Sequence, residues 1–146
     1  MKNRIAMFCL VACLAWTVPG LAATQTFGPD FARFTVDVPD GWTAKPNDGG
    51  CQITAPDGGT SVSIQVQKSG GKSASELAGL ISKQMGGKVV KTEDEGPNQT
   101  TVYAEIDGVR VALMIIVDGD KFAAFTMAGS DAEAMKKIAA SVADAQ

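Results

Sequence analysis

Five Asp-Gly steps punctuate this chain of 146 residues, at Asp40-Gly41, Asp48-Gly49, Asp57-Gly58, Asp107-Gly108 and Asp118-Gly119. Asp-Gly readily takes the positive φ angles of tight hairpin turns, so the series predicts antiparallel strands joined by short connections. The residues between the turns alternate as such strands require. Phe34, Val36 and Val38 point one way and Thr35 and Asp37 the other, before Pro39 and Asp40 close a half-buried first strand. Cys51 to Ala55 alternates again, Pro56-Asp57-Gly58-Gly59 turns the chain, and Val62, Ile64 and Val66 alternate with polar neighbours. That is a hairpin with one wet face.

The period then changes. Leu77, Leu80, Ile81 and Met85 recur at three- and four-residue intervals, which predicts a helix with these four on one side. Ser73 followed by Glu76 makes a capping box at its start, and Gly86-Gly87 supplies its stop. Val89 and Val90 open a short strand that runs into Glu93-Asp94-Glu95-Gly96-Pro97-Asn98, predicted to be a polar turn. Thr100–Ile106, Val109–Val117 and Lys121–Ala128 follow as a three-stranded meander.

The middle strand of the meander is apolar on both sides. Val109, Val111, Leu113, Ile115 and Val117 share one face while Ala112, Met114 and Ile116 share the other, so both faces of the sheet must be covered. The third strand agrees, with Phe122 and Ala124 opposed to Ala123, Phe125 and Met127. A last helix, started by Ser130 or Asp131 with Glu133 in capping position, carries Met135, Ile138, Ala139 and Val142 on one stripe. Two amphipathic helices are thus available to cover a mostly antiparallel sheet, and the expected fold is α+β, a three-layer α/β/α sandwich.

The chain does not begin with this domain. Lys2 and Arg4 precede an apolar run of 14 residues from Ile5 to Val18, shorter than the roughly 20 needed to span a bilayer, and small residues follow. This is the layout of a secretory signal peptide over residues 1–23, cut after Ala22 or Ala23, leaving a single domain from 24 to 146 with no transmembrane span. The expected location is the periplasm or the exterior. Leu10-Val11-Ala12-Cys13 also fits the loose pattern for lipid attachment through Cys13, but Leu14 to Val18 continue the apolar run where a lipoprotein turns polar.

Loss of Lys2 and Arg4 leaves 11 basic residues against 16 acids, a net charge of −5, with no basic cluster for phosphates. Nucleic acid is therefore excluded as a partner. With 45% hydrophobic and 20% charged residues, collagen, coiled coil and wholesale disorder are excluded too. Cys9 and Cys13 lie in the signal, so Cys51 stands alone and no internal disulfide forms. It is either a small apolar side chain in a strand or a thiol open to reaction and to an intermolecular bridge, giving a monomer or a dimer through Cys51.

Phe34 to Trp42, Phe-Thr-Val-Asp-Val-Pro-Asp-Gly-Trp, resembles the opening strand and Pro-x-Gly-Trp corner of the PsbP-like superfamily, which includes the Ran-binding Mog proteins and small secreted bacterial proteins of the DcrB group. The resemblance extends over roughly Phe31 to Ala143: the corner, a serine-started helix ending in glycine, the meander and a closing helix come in the family's order. It implies an α/β/α sandwich and mostly non-enzymatic roles in assembly, chaperoning or interaction. The metal handling proposed for the plant photosystem members has no residue pattern here onto which it carries over.

The chemistry missing from the chain agrees with that implication. Histidine is absent, which removes the commonest general base and metal ligand, and with one cysteine left no thiolate cluster forms within one chain. Glu93, Asp94 and Glu95, and Asp118 with Asp120, are the carboxylate groupings, and they suit a solvated loop and a hairpin turn. Neither has the offsets of a helix-loop-helix calcium site, and the Gly-Gly pairs lack the other residues of a phosphate loop. No metal and no cofactor are expected.

Trp42 and Tyr103 are the tryptophan and tyrosine beyond the signal. Trp42 suits a packing anchor at its corner, whereas Tyr103, near Glu105 on the wetter face of its strand, is the candidate interaction residue. The leading expectation is a secreted, non-enzymatic module that binds an unidentified protein partner or assists assembly. A small-ligand or metal carrier using a helix–sheet cleft is the alternative, and an enzyme built on carboxylates or Cys51 is a third.

Overall fold

The structure, a computed structural model, describes residues 22–146. The signal peptide, except for its last two positions, and the Cys13 lipid-attachment reading lie outside the described residues. Strands β1 (Ala23–Phe27) and β2 (Phe34–Val38) pair antiparallel, the chain turns at Pro39 to Trp42, and β3 (Thr43–Asn47), β4 (Gly50–Thr54) and β5 (Thr60–Lys68) follow. Helix α1 (Ala74–Met85) leads to β6 (Lys88–Asp94), β7 (Gln99–Ile106), β8 (Val109–Asp118) and β9 (Lys121–Gly129), and helix α2 (Ala132–Ala140) to the short β10 (Ala143–Asp144).

The strands form two sheets, a seven-stranded one in the order β3-β4-β5-β9-β8-β7-β6 and a three-stranded one in the order β1-β2-β10, with every pairing antiparallel. Four of the five Asp-Gly steps sit between paired strands of the large sheet, and Asp40-Gly41 is the corner where the chain passes from the small sheet to the large one. At the β7–β8 turn both Asp107 (φ 51°) and Gly108 (φ 79°) are left-handed, the twist that matches the flanking strands.

Both faces of the large sheet are covered, as the two-sided middle strand requires. On one, Ala74, Leu77 and Ala78 of α1 pack on Val102, Leu113, Ile115, Phe122 and Ala124. On the other, Ile138 of α2 and Phe34, Val36 and Val38 of β2 pack on Cys51, Ile53, Val62, Ile64 and Phe125. The class is α+β in three layers, with one refinement: the second outer layer is a helix together with the small sheet. The opening strand therefore lies across the main sheet instead of joining it.

Both helix starts are capped. The Ser73 backbone N–H donates to Glu76 Oε2 (2.8 Å) and the Glu76 N–H donates to Ser73 Oγ (3.2 Å), completing the capping box. Asp131 rather than Ser130 caps α2, its Oδ1 accepting from the Ala134 N–H at 3.0 Å. Two expectations are corrected. Leu80 is 48% exposed, because at about 100° per residue it falls well outside the arc occupied by Ala74, Leu77, Ala78 and Ile81. Glu93 and Asp94 continue β6 instead of starting the turn, paired with Thr101 and Thr100, and the buried Thr100 hydroxyl donates to Asp94 Oδ1 at 2.7 Å.

Ile138 is 1% exposed and α2 is anchored through it, whereas Leu80 faces water. In denaturant unfolding, Ile138→Ala is expected to lower stability by about 2–5 kcal/mol, and Leu80→Ala to change it by less than about 0.5 kcal/mol.

Candidate functional site

Helix α2 has nine residues, and its main packing is on β2, β5 and β9. Its side of β6, β7 and the Arg110–Ala112 end of β8 is left open. Across that open face a row of paired residues runs from the sheet edge inward: Lys91 on β6 opposite Tyr103 on β7, Tyr103 opposite Ala112 on β8, and Ala112 opposite Met127 on β9. Alanine between a tyrosine and a methionine makes a low point, and Met135 of α2 closes one side. The result is a groove of about 520 Å³, with Glu93 and Arg110 among its polar lining.

Tyr103, the candidate interaction residue from the sequence, lines this groove and is 39% exposed. Lys91 and Glu93 form a salt bridge beside it. That lysine, and after it the Tyr103 hydroxyl, holds the Glu93 carboxyl below the ordinary carboxylate range, while Glu93 in return raises Lys91. Loss of water, then hydrogen bonding to Glu93 and the Glu93 charge, push the Tyr103 phenol above its usual value, so it stays a neutral donor and acceptor at physiological pH. Arg110 stands opposite Glu105 in the β7–β8 register, but among the described residues it makes no salt bridge. An apolar floor, a phenol and a guanidinium without a salt bridge among the described residues are side-chain types enriched where proteins meet.

The other residues singled out in the sequence lie apart from the groove. Cys51 is wholly buried on β4 in the α2-side core, and burial pushes its thiol up to about 11, so it is an apolar packing group with no access to a second chain in the folded state. Trp42 packs, partly buried, against the same core, as an anchor at its corner should. The three consecutive acids do not act together. Glu93 pairs with Lys91, Asp94 accepts from Thr100, and Glu95 accepts from Gln99. Among the described residues no three carboxylate or thiol side chains converge to hold a metal ion, and no helix is long and apolar enough to cross a membrane.

Sequence reasoning missed Lys91 and Glu93 as groove residues because an acidic run before Gly96-Pro97 looks like a loop. It placed Met127 and Met135 in patterns of packing, and they do pack, with one side left over for the groove. The signal that could have found the charged pair is the alternation of Lys91 and Glu93 around Thr92, which sets both on one face of a strand.

No protein-family model matches the chain, and no curated protein sequence matches it. Among solved structures the chain is similar to cyanobacterial PsbP (CyanoP) from Synechocystis sp. PCC 6803, with a TM-score of 0.62 over 86% of this chain and 95% of that one. The two sequences are 11% identical, so the likeness is one of fold. The fold is PsbP-like.

Two measurements test the chemistry of these groups. Cys51 is expected to be unreactive toward a thiol reagent at pH 8 in the folded protein and fully reactive after denaturation. By NMR titration Glu93 is expected to protonate at lower pH than an ordinary glutamate, and to move back up in Lys91→Ala. Because the folded-state value is depressed, the stabilisation from this pair is present above the ordinary glutamate pKa and is lost as pH falls through the folded one.

Proposed function

We propose that the protein is an extracytoplasmic, non-enzymatic accessory module that binds another protein through the open face of β6, β7 and β8, with Tyr103 at its centre. The observation that carries this reading is geometric: α2 stops short of that face, and a partly exposed aromatic side chain lies in the groove left beside it. Aromatic side chains in such settings contribute disproportionately to binding because they bury much area at little conformational cost.

The PsbP-like fold supports the class of role, and kinship with the secreted DcrB group or the Mog proteins is part of the proposal. Export is part of it as well. Removal of residues 1–22 or 1–23 leaves a chain that starts at β1, whose Ala23 and Thr24 pair with Val38 and Asp37. A signal peptide ending there would release a domain with its first strand essentially whole.

A second reading, a small-ligand carrier, is favoured by the same groove, since about 520 Å³ between Met135 and the sheet lies within the size range of ligand pockets. The two readings separate in one experiment. Crosslinking in the intact envelope, followed by affinity isolation and mass spectrometry, is expected to recover a defined protein partner with the wild type. Tyr103→Arg, with unchanged thermal stability, is expected to recover about tenfold less or lower still. Equal recovery with the variant overturns the assignment of the face, and isolation of a bare chain carrying non-protein mass transfers the groove to the carrier reading.

A further inference from the structure

The two edges of the large sheet are built differently. Edge strand β3 carries Pro46 in its span, a residue that cannot donate to a further strand, with Lys45 beside it. Edge strand β6 has seven residues and no proline, and Val89 and Val90 are 48% and 67% exposed. A register shift between Val89 and Lys91 leaves Val90 without a partner on β7. That local bulge aside, β6 carries no proline, so unlike β3 its backbone can pair with a strand laid along its free side from Lys91 to Asp94.

Its charges are also polarised along the strand. Lys88 and Lys91 occupy the first part, and Glu93, Asp94 and the following Glu95 the last. A two-fold axis at a strand edge places the two copies antiparallel, so the head of one strand faces the tail of the other. In β6 that sets lysines against acids twice over. A parallel approach, or a partner edge of one sign, lacks this match.

We propose that β6 is a homodimerisation edge: two copies pair antiparallel along β6 to make a continuous sheet of 14 strands, twice the seven of one copy. The inference does not depend on the protein-binding reading of the Tyr103 face. A single strand at about 3.3 Å per residue offers a contact only about 23 Å long, and the net negative charge of the rest of the chain opposes association. The dimer is accordingly weak, concentration-dependent and sensitive to salt. With Cys51 buried, it is indifferent to reductant.

Sedimentation velocity of the chain from residue 24 onward, from about 1 μM to about 1 mM at low salt, is the test, read together with a charge swap. Lys88→Glu with Lys91→Glu makes the edge wholly acidic, and Glu93→Lys with Glu95→Lys makes it predominantly basic; circular dichroism confirms that each variant is folded. The expected result is a wild type whose dimer fraction rises with concentration, two variants that are each at least tenfold weaker, and dimers restored when the variants are mixed in equal amounts. A wild type that is monomeric at the highest concentration overturns the proposal, and so does a dimer that both variants retain undiminished. If mixing the folded variants restores nothing, charge matching along β6 does not hold the dimer and the proposal is likewise overturned.

Discussion

Strands β8 and β9 are apolar on both faces, and the rest of the molecule is arranged to keep both faces from water. Leu113, Ile115, Phe122 and Ala124 face α1, while Met114, Ile116, Ala123, Phe125 and Met127 face the opposite layer. Each face needs a cover with its own apolar stripe, because a single uncovered row of such side chains would leave a large patch in contact with solvent. One cover is a regular helix of 12 residues with a capping box. The other is a composite, in which nine residues of α2 and the small sheet share the work.

The composite cover is what opens the candidate site. Helix α2 and β2 lie toward β5 and β9, leaving the same face of β6 and β7 and the near end of β8 to meet water directly. The side chains there change accordingly, from the Phe125 and Met114 level to Tyr103, Lys91, Glu93 and Arg110. Pairing of Lys91 with Glu93 sets two opposite charges at the margin of the groove, and the phenol supplies area that a partner could bury. Core packing and the proposed interaction site thus divide one sheet face between them, and the boundary runs along Ala112 and Met127.

Much of this arrangement is legible in the residues. Asp-Gly steps located the hairpins, two-sided alternation in Val109 to Val117 required a double cover, and Ser73 with Glu76 announced α1. What is not legible depends on partners distant in sequence. Strand β1, Ala-Thr-Gln-Thr-Phe, has no apolar alternation and is held by pairing with β2, while β10 is a strand only because Ala143 and Asp144 return to Thr35 and Phe34. Strand β3, with Pro46, resists recognition by propensity, although Asp48-Gly49 needs a strand before it as well as after. Hydrophobicity alone points Leu80 into the core, yet small Ala74 and Ala78 occupy the packed arc and let the helix approach the sheet. Tyr103 was recognisable because polar neighbours flank its face; the salt bridge beside it was not, because strand and loop are distinguished there by pairing with Thr100 and Thr101.

The central claim is that the open face around Tyr103 is covered by another protein where the chain works. Hydroxyl-radical footprinting measures side-chain exposure directly, and the molecule supplies its own controls in Leu80 and Phe31, exposed on other parts of the surface. Comparing the purified protein with the protein in intact cells, the account predicts that Tyr103 is protected from oxidation in the cells while Leu80 and Phe31 react as before. Tyr103 oxidised equally in both settings, with protection falling on Leu80 or Phe31 instead, would contradict it.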